Sequence, residues 1–291
     1  MEKEEYIGTE ELRKMQKLIL NIAKVVFQIC KEENINLYML GGTFLGAVRH
    51  KGFIPWDDDM DFALSRSDYN KFLNIIEKKL PSNLRLLHYS NVKDDEKNTI
   101  NFHYIKIIDL NYQMVEKIGE GKFENRNLFV DIFPLDNIPN NYFINKFYKI
   151  KVFLKQEKMR LARLNIVYAD GKFNGNSKIK KIIFKINKML KISKKYNYYD
   201  TIKAFDKQIG RYSNQKNTKF VSNILGGNGL FKETFPKKCF EKVEEYDFED
   251  TKLLGAKNYD YILKKMYSDY MQLPKEENRI CKHCMKINKI N

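Results

Sequence analysis

The 291-residue chain has only four cysteines, Cys30, Cys239, Cys281 and Cys284. They are too few and too irregularly spaced for a disulfide framework, which suits a reducing cytoplasm. No run approaches the roughly 18 apolar residues of a membrane-spanning helix. The opening Met1-Glu-Lys-Glu-Glu lacks the apolar centre of a secretion signal. These absences predict a cytoplasmic protein, neither secreted nor transmembrane. There is no internal repeat, no long low-complexity tract and nothing resembling a nucleic-acid recognition motif, so no nucleic-acid partner is expected. Acids are scarce in one region. Between Tyr142 and Tyr199 sixteen Lys and Arg face two acids, Glu157 and Asp170, a net +14 out of +16 for the chain. The basicity is therefore regional.

What is present is a core-forming composition, with 20 Phe and 18 Tyr, and one dense stretch. Leu40 to Leu64 reads LGGTFLGAVRHKGFIPWDDDMDFAL and holds a glycine pair, the single tryptophan Trp56 and four aspartates. A strand from Asp59 to Leu64 would put Asp59 and Asp61 on one face, because successive side chains alternate. Two adjacent carboxylates in an apolar strand repel, and burial is costly unless a cation lies between them. A hard divalent ion is the economical answer: Mg2+, with Mn2+ as the alternative. Asp131, alone among the apolar residues of Leu128 to Phe133, is the third acid; Asp57 is a helper and Asp58 a weaker candidate.

The glycine pair comes before a helix predicted over Thr43 to His50. A helix start with missing side chains suits an anion, so Gly41, Gly42 and Thr43 are candidate phosphate binders. Arg49 and Lys51 follow closely, and they and Lys106 are candidates to meet further phosphate charge.

Around this stretch the pattern predicts a helix from Glu10 to about Glu33, a strand at Leu37 to Leu40, and a helix capped by Ser65 or Ser67 that ends before Pro81. Strands are expected at Leu84 to Tyr89, at Phe102 to Leu110 and Tyr112 to Lys117 around a turn at Asp109-Leu-Asn111, and at Leu128 to Phe133, with Pro134 and Pro139 bracketing its exit. A charged loop over Asn91 to Asn98 and a turn over Gly119 to Asn125 separate them. Helices follow at Tyr142 to about Asn165, Lys178 to Lys195 and Tyr198 to about Tyr212. A polar turn at Asp170 to Ser177 is the candidate internal boundary. Pro236 to Phe248 reads as strand-like and Tyr259 to Tyr270 as a last helix. Cys281-Lys-His283-Cys284 is a poor zinc site, three close ligands without a fourth, and reads as a fraying tail.

The Leu40 to Phe62 block resembles the signature of the LicD family, phosphocholine transferases related to the fukutin-type glycan phosphotransferases within the nucleotidyltransferase superfamily. Tyr104-Ile-Lys106-Ile-Ile-Asp109, Val130-Asp131-Ile-Phe-Pro-Leu-Asp136, Phe235-Pro236 and Lys265 to Pro274 resemble further blocks, with Ser268 where the family has glycine. The resemblance implies an α/β fold, a mixed sheet flanked by helices with a basic helical insertion. It divides the chain into a catalytic core over 1–141, a basic, mostly helical region over 142–217 and a segment over 218–291 that packs back on the core. It also implies metal-dependent transfer of phosphocholine from CDP-choline to a glycan hydroxyl, of the lipopolysaccharide or teichoic-acid type, with CMP released. A CDP-linked polyol is the alternative donor, and a non-catalytic binder of anionic glycan or nucleic acid is the alternative class. Gly41 and Gly42 would hold phosphate, and Asp59, Asp61 and Asp131 would form the acid set. The basic segment from Ser177 to Tyr199, with Ile179, Ile182, Ile183, Ile186, Met189 and Leu190 among its lysines, offers peripheral contact with the inner membrane face, fitting a lipid-linked acceptor.

Overall fold

A computed structural model of the chain describes residues 9–91, 103–119, 122–168, 178–190, 193–281 and 284–290. The fold is mixed α/β. Helix α1 (Thr9–Glu32) is followed by β1 (Tyr38–Met39), α2 (Gly41–His50), β2 (Asp61–Ser65), α3 (Arg66–Lys79), β3 (Leu84–Leu87), and the long strands β4 (Ile105–Gly119) and β5 (Lys122–Ile138). Helices α4 (Tyr142–Val167), α5 (Lys178–Leu190) and α6 (Tyr198–Ile209) come next. Then β6 (Phe220–Ser222), β7 (Thr234–Pro236), β8 (Val243–Phe248), β9 (Thr251–Ala256), α7 (Tyr259–Tyr267) and β10 (Cys284–Lys289) complete the chain.

The central sheet runs β1-β2-β5-β4-β10, with β3 on β4 and β6 and β7 continuing from β5. The β2–β5 pair is parallel and the rest antiparallel; β8 and β9 form a separate hairpin. α1 closes one side because Met15, Ile19, Ile22 and Val26, at helical spacing, are buried, and Phe27 meets Phe62 edge-on at 5.1 Å. Each such buried side chain contributes about 1.5–3 kcal/mol. α3 starts where Ser65 Oγ accepts the Asp68 N–H at 3.2 Å.

Several expectations change. The two strands around Asp109-Leu-Asn111 are one strand with a bulge. Asp109 Oδ1 does accept the Asn111 N–H at 2.9 Å, but the register only shifts between Asp109 and Gln113 before pairing with β5 resumes. β5 runs on through Pro134 to Ile138. Asp131 N–H points to β2, donating to the Met60 carbonyl, so by alternation position 134 faces the other edge, where β4 has already ended opposite Ile132. A proline there removes no ladder bond. Pro236 to Phe248 divides into the end of β7, a 3-10 turn (Lys237–Phe240) and β8. The expected fraying tail is β10, paired to β4. The Asn91–Asn98 loop beyond Asn91 and the Asp170–Ser177 turn lie outside the described residues, as does the Glu120–Gly121 tip of the Gly119–Asn125 turn.

The basic region is joined to the sheet by charge as well as packing. Arg66 of α3 donates Nε and Nη2 to the two oxygens of Asp136 at 2.6 and 2.9 Å, and Nη1 to Asp206 of α6 at 2.9 Å. Tyr89 donates to the other Asp206 oxygen at 2.7 Å. Around this network Tyr148, Val152, Met159 and Ala162 of α4 pack with Tyr198, Ile202, Phe205 and Ile209 of α6 in a second core. Among the described residues no helix is long and apolar enough to cross a membrane.

Candidate active site

Three neighbouring strands assemble the charged face. Asp61 of β2 is the register partner of Asp131 of β5, and Lys106 of β4 is the partner of Asp131 on its other side. Side chains at paired positions project from the same face. Lys106 Nζ donates to Asp131 Oδ1 at 2.6 Å, with both side chains buried, and lies 3.3 Å from the centroid of the Phe129 ring. Lys106, expected at phosphate, is thus a direct partner of the third acid.

Asp57, Asp58 and Asp59 approach along the irregular segment before β2. The regular strand begins at Asp61, so Asp59 lies just outside it. One ligand oxygen from each of these three aspartates fits within a 4.8 Å span. Asp58 is buried and accepts the Cys281 Sγ–H at 3.0 Å, so that cysteine serves the acid cluster; His283, in the same short motif, lies outside the described residues. The backbone of the segment is held from α1, where Gln16 Nε2 donates to the Asp57 carbonyl at 2.8 Å. Burial, then the Asp59, Asp131 and Asp57 carboxylates, push the Asp61 carboxyl well above the usual carboxylate range, with Lys106 opposing. An oxygen-only set whose members raise one another's proton affinity fits a hard divalent cation.

The glycines meet these acids directly. Gly41 has φ +59°, and a Cβ there would stand 3.1 Å from Asp61 Oδ2; one on Gly42 would stand 2.5 Å from Asp57 Oδ2. The pair belongs to the first turn of α2 rather than to a turn ahead of it, so the helix starts against the carboxylates. Thr43 is buried and its Oγ1 accepts the Asp61 N–H at 2.8 Å, fixing the start of β2. Arg49 and Lys51 are carried to the other end of α2, about 15 Å from its start at 1.5 Å per residue. Arg49 Nη1 donates to the Tyr270 carbonyl at 2.7 Å; Lys51 is exposed at the left-handed helix end.

Two groups were not singled out from the sequence. Tyr267 stands with its hydroxyl 3.8 Å from the position of a Gly41 Cβ, and burial, then Asp61, Asp57, Glu233 and Asp59, push its phenol strongly upward. Glu233 is buried under the Gly226–Gly229 loop, where it accepts from Asn223 at 2.8 Å and Asn228 at 2.9 Å. Tyr267 sits inside the Lys265 to Pro274 block, the only sequence signal for it. It also walls a cavity of about 590 Å3, with Trp56, Tyr270, Asp269, Arg49 and Lys275. The Arg279 guanidinium lies 5.9 Å from the Trp56 ring centroid.

Ser268 explains itself in this setting. It ends α7 with φ 57° and ψ −112°, a conformation that favours glycine, and it turns the chain between Tyr267 and Asp269. Ser268→Gly is expected to raise stability by about 1 kcal/mol, read as an increase in Tm, with turnover changed by less than a few-fold.

A mixed sheet whose paired acidic strands face a glycine-led helix is the setting in which the comparisons with known proteins fall. The nucleotidyltransferase domain described as LicD/FKTN/FKRP matches residues 34–160, a span that contains every candidate site residue predicted from the sequence. Over that span the chain is similar to the LicD family. It is 28% identical over 273 residues to the lipopolysaccharide cholinephosphotransferase LicD of Haemophilus influenzae, covering 92% of this chain and 94% of that protein. Shorter similarities join it to uncharacterized proteins of Rickettsia typhi (33% over 70 residues, 24% of this chain and 23% of that one) and Rickettsia prowazekii (38% over 50 residues, 17% and 19%).

Proposed function

We propose that this protein is a LicD-type transferase that moves phosphocholine from CDP-choline to a hydroxyl of a cell-surface glycan, releasing CMP. The observation that carries the reading is likeness to a lipopolysaccharide cholinephosphotransferase along nearly the whole of both chains, joined to an acid face set against a helix start. In the reaction the acceptor oxygen forms a bond to the choline-side phosphorus, the bond from that phosphorus to the CMP oxygen breaks, and the hydroxyl proton passes to a carboxylate. Asp131 is our choice for that base.

Asp57, Asp59, Asp61 and Asp131 would hold Mg2+ or Mn2+, which when bound supplies positive charge to the diphosphate and the departing CMP. The chain's own groups do the remainder. The N–H groups of Gly41 to Thr43, without acceptors inside the helix, orient diphosphate oxygens. Lys106 holds Asp131 in place, and Thr43 and Gln16 fix the backbone that carries the acids. The cavity beside Tyr267 is the proposed seat of substrate. Its aromatic walls and Asp269 suit a quaternary ammonium, and its Arg49 and Lys275 suit phosphate or sugar hydroxyls.

The test is a donor screen with purified protein and Mg2+. CDP-choline is expected to raise Tm and to yield CMP when a lipopolysaccharide or teichoic-acid extract is present. A CDP-linked polyol that does so while CDP-choline does not would reassign the donor. Failure of every CDP-alcohol to stabilise the protein or yield CMP would overturn the reading.

A further inference from the structure

Helix α4 is apolar on two opposite sides. Tyr148, Val152, Met159 and Ala162 form the side that packs into the second core. On the far side Phe143, Phe147, Ile150 and Leu154, again at helical spacing, are 69, 65, 46 and 54% exposed. They form a continuous stripe about 16 Å long at 1.5 Å per residue. A run of large apolar side chains this exposed marks a binding surface rather than ordinary scatter. Tyr142 and Phe153 extend it, at 72 and 50% exposed.

The charge around the stripe says what covers it. From Tyr142 to Gln156 there are four lysines and no acid. Helical geometry puts Lys146 along one border of the stripe and Lys151 along the other, and both are exposed. Protein interfaces are depleted in lysine, and two copies of this face would set like charge against like charge. An anionic lipid surface is complementary in both respects, taking the apolar side chains among its acyl chains and the ammonium groups among its phosphates. α5 repeats the pattern, with Ile182, Ile186 and Met189 exposed and no acid among its residues.

We propose that the outward face of α4, centred on Phe143, Phe147, Ile150 and Leu154, docks the protein on an anionic membrane surface. The sequence reading placed such contact on the later basic segment; the exposures put the larger stripe on α4. This inference does not depend on the transfer reaction, since it concerns only where the protein sits.

The experiment is flotation of the full chain with vesicles of phosphatidylcholine, alone and with phosphatidylglycerol added, over a range of salt. The wild type is expected to float with the phosphatidylglycerol vesicles at low salt and to be released as salt rises. Phe143→Ser with Phe147→Ser should weaken binding at least about tenfold, from lost apolar burial. Lys146→Glu with Lys151→Glu should abolish the preference for anionic lipid. All four side chains are exposed, so melting of both variants should match the wild type. The proposal is overturned if the wild type fails to float at low salt or if both variants float as it does. It is equally overturned if the wild type is a dimer that Phe143→Ser with Phe147→Ser makes monomeric, since a second copy would then be the occupant.

Discussion

Asp61→Asn is expected to lower metal-dependent transfer at least about a thousandfold while raising the stability of the metal-free protein by about 1–2 kcal/mol. Both effects come from one place. Asp61 stands opposite Asp131 across the parallel strand pair and feels Asp59 and Asp57 as well, so its carboxyl is driven toward the protonated form. Asparagine keeps the shape and removes the charge, which relieves the repulsion but deprives a cation of a central ligand. The measurements are CMP release and Tm with and without Mg2+. The wild type should gain Tm with the ion and the variant should gain little. Full metal-dependent turnover in the variant would mean that Asp61 is not part of the site.

Legibility followed the range of the interactions. The stretch from Gly41 to Asp61 announced itself because its chemistry is local: a helix start and a run of acids within about two dozen residues. Helices α1, α3 and α7 were readable because apolar spacing and caps are properties of short segments. β6, β9 and β10 were not, since strands of three to six residues take their identity from what they pair with. β10 pairs with β4, more than 160 residues back in the sequence, and no local signal carries that. The same limit hid the roles of individual side chains. Lys106 looked like a free cation until its register against Asp131 was known. Tyr267 comes beside Gly41 and the acids through the packing of the C-terminal segment. The glycine pair was read as space for a phosphate, and it is also space for Asp57 and Asp61, whose oxygens nearly touch where Cβ atoms would be.

The register that joins Lys106 to Asp131 makes the second large effect a matter of stability first. Lys106→Met keeps the stem and removes the ammonium. It leaves Asp131 buried beside Asp61 with its 2.6 Å ion-pair partner gone. Removing one member of a buried pair costs about 3–5 kcal/mol, because the remaining charge stays out of water. The expected result is a large drop in Tm or in the denaturant midpoint, with transfer lost as well. Lys106→Met combined with Asp131→Asn should recover most of that stability, since the buried charge that lost its Lys106 partner has gone, and should recover no transfer, since the third acid has gone with it. Magnesium should also stabilise Lys106→Met more than it does the double variant, by supplying positive charge to the acids that remain. A Lys106→Met protein that melts like the wild type would show that Asp131 is balanced by other groups, and would remove Lys106 from the account of how the third carboxylate is held.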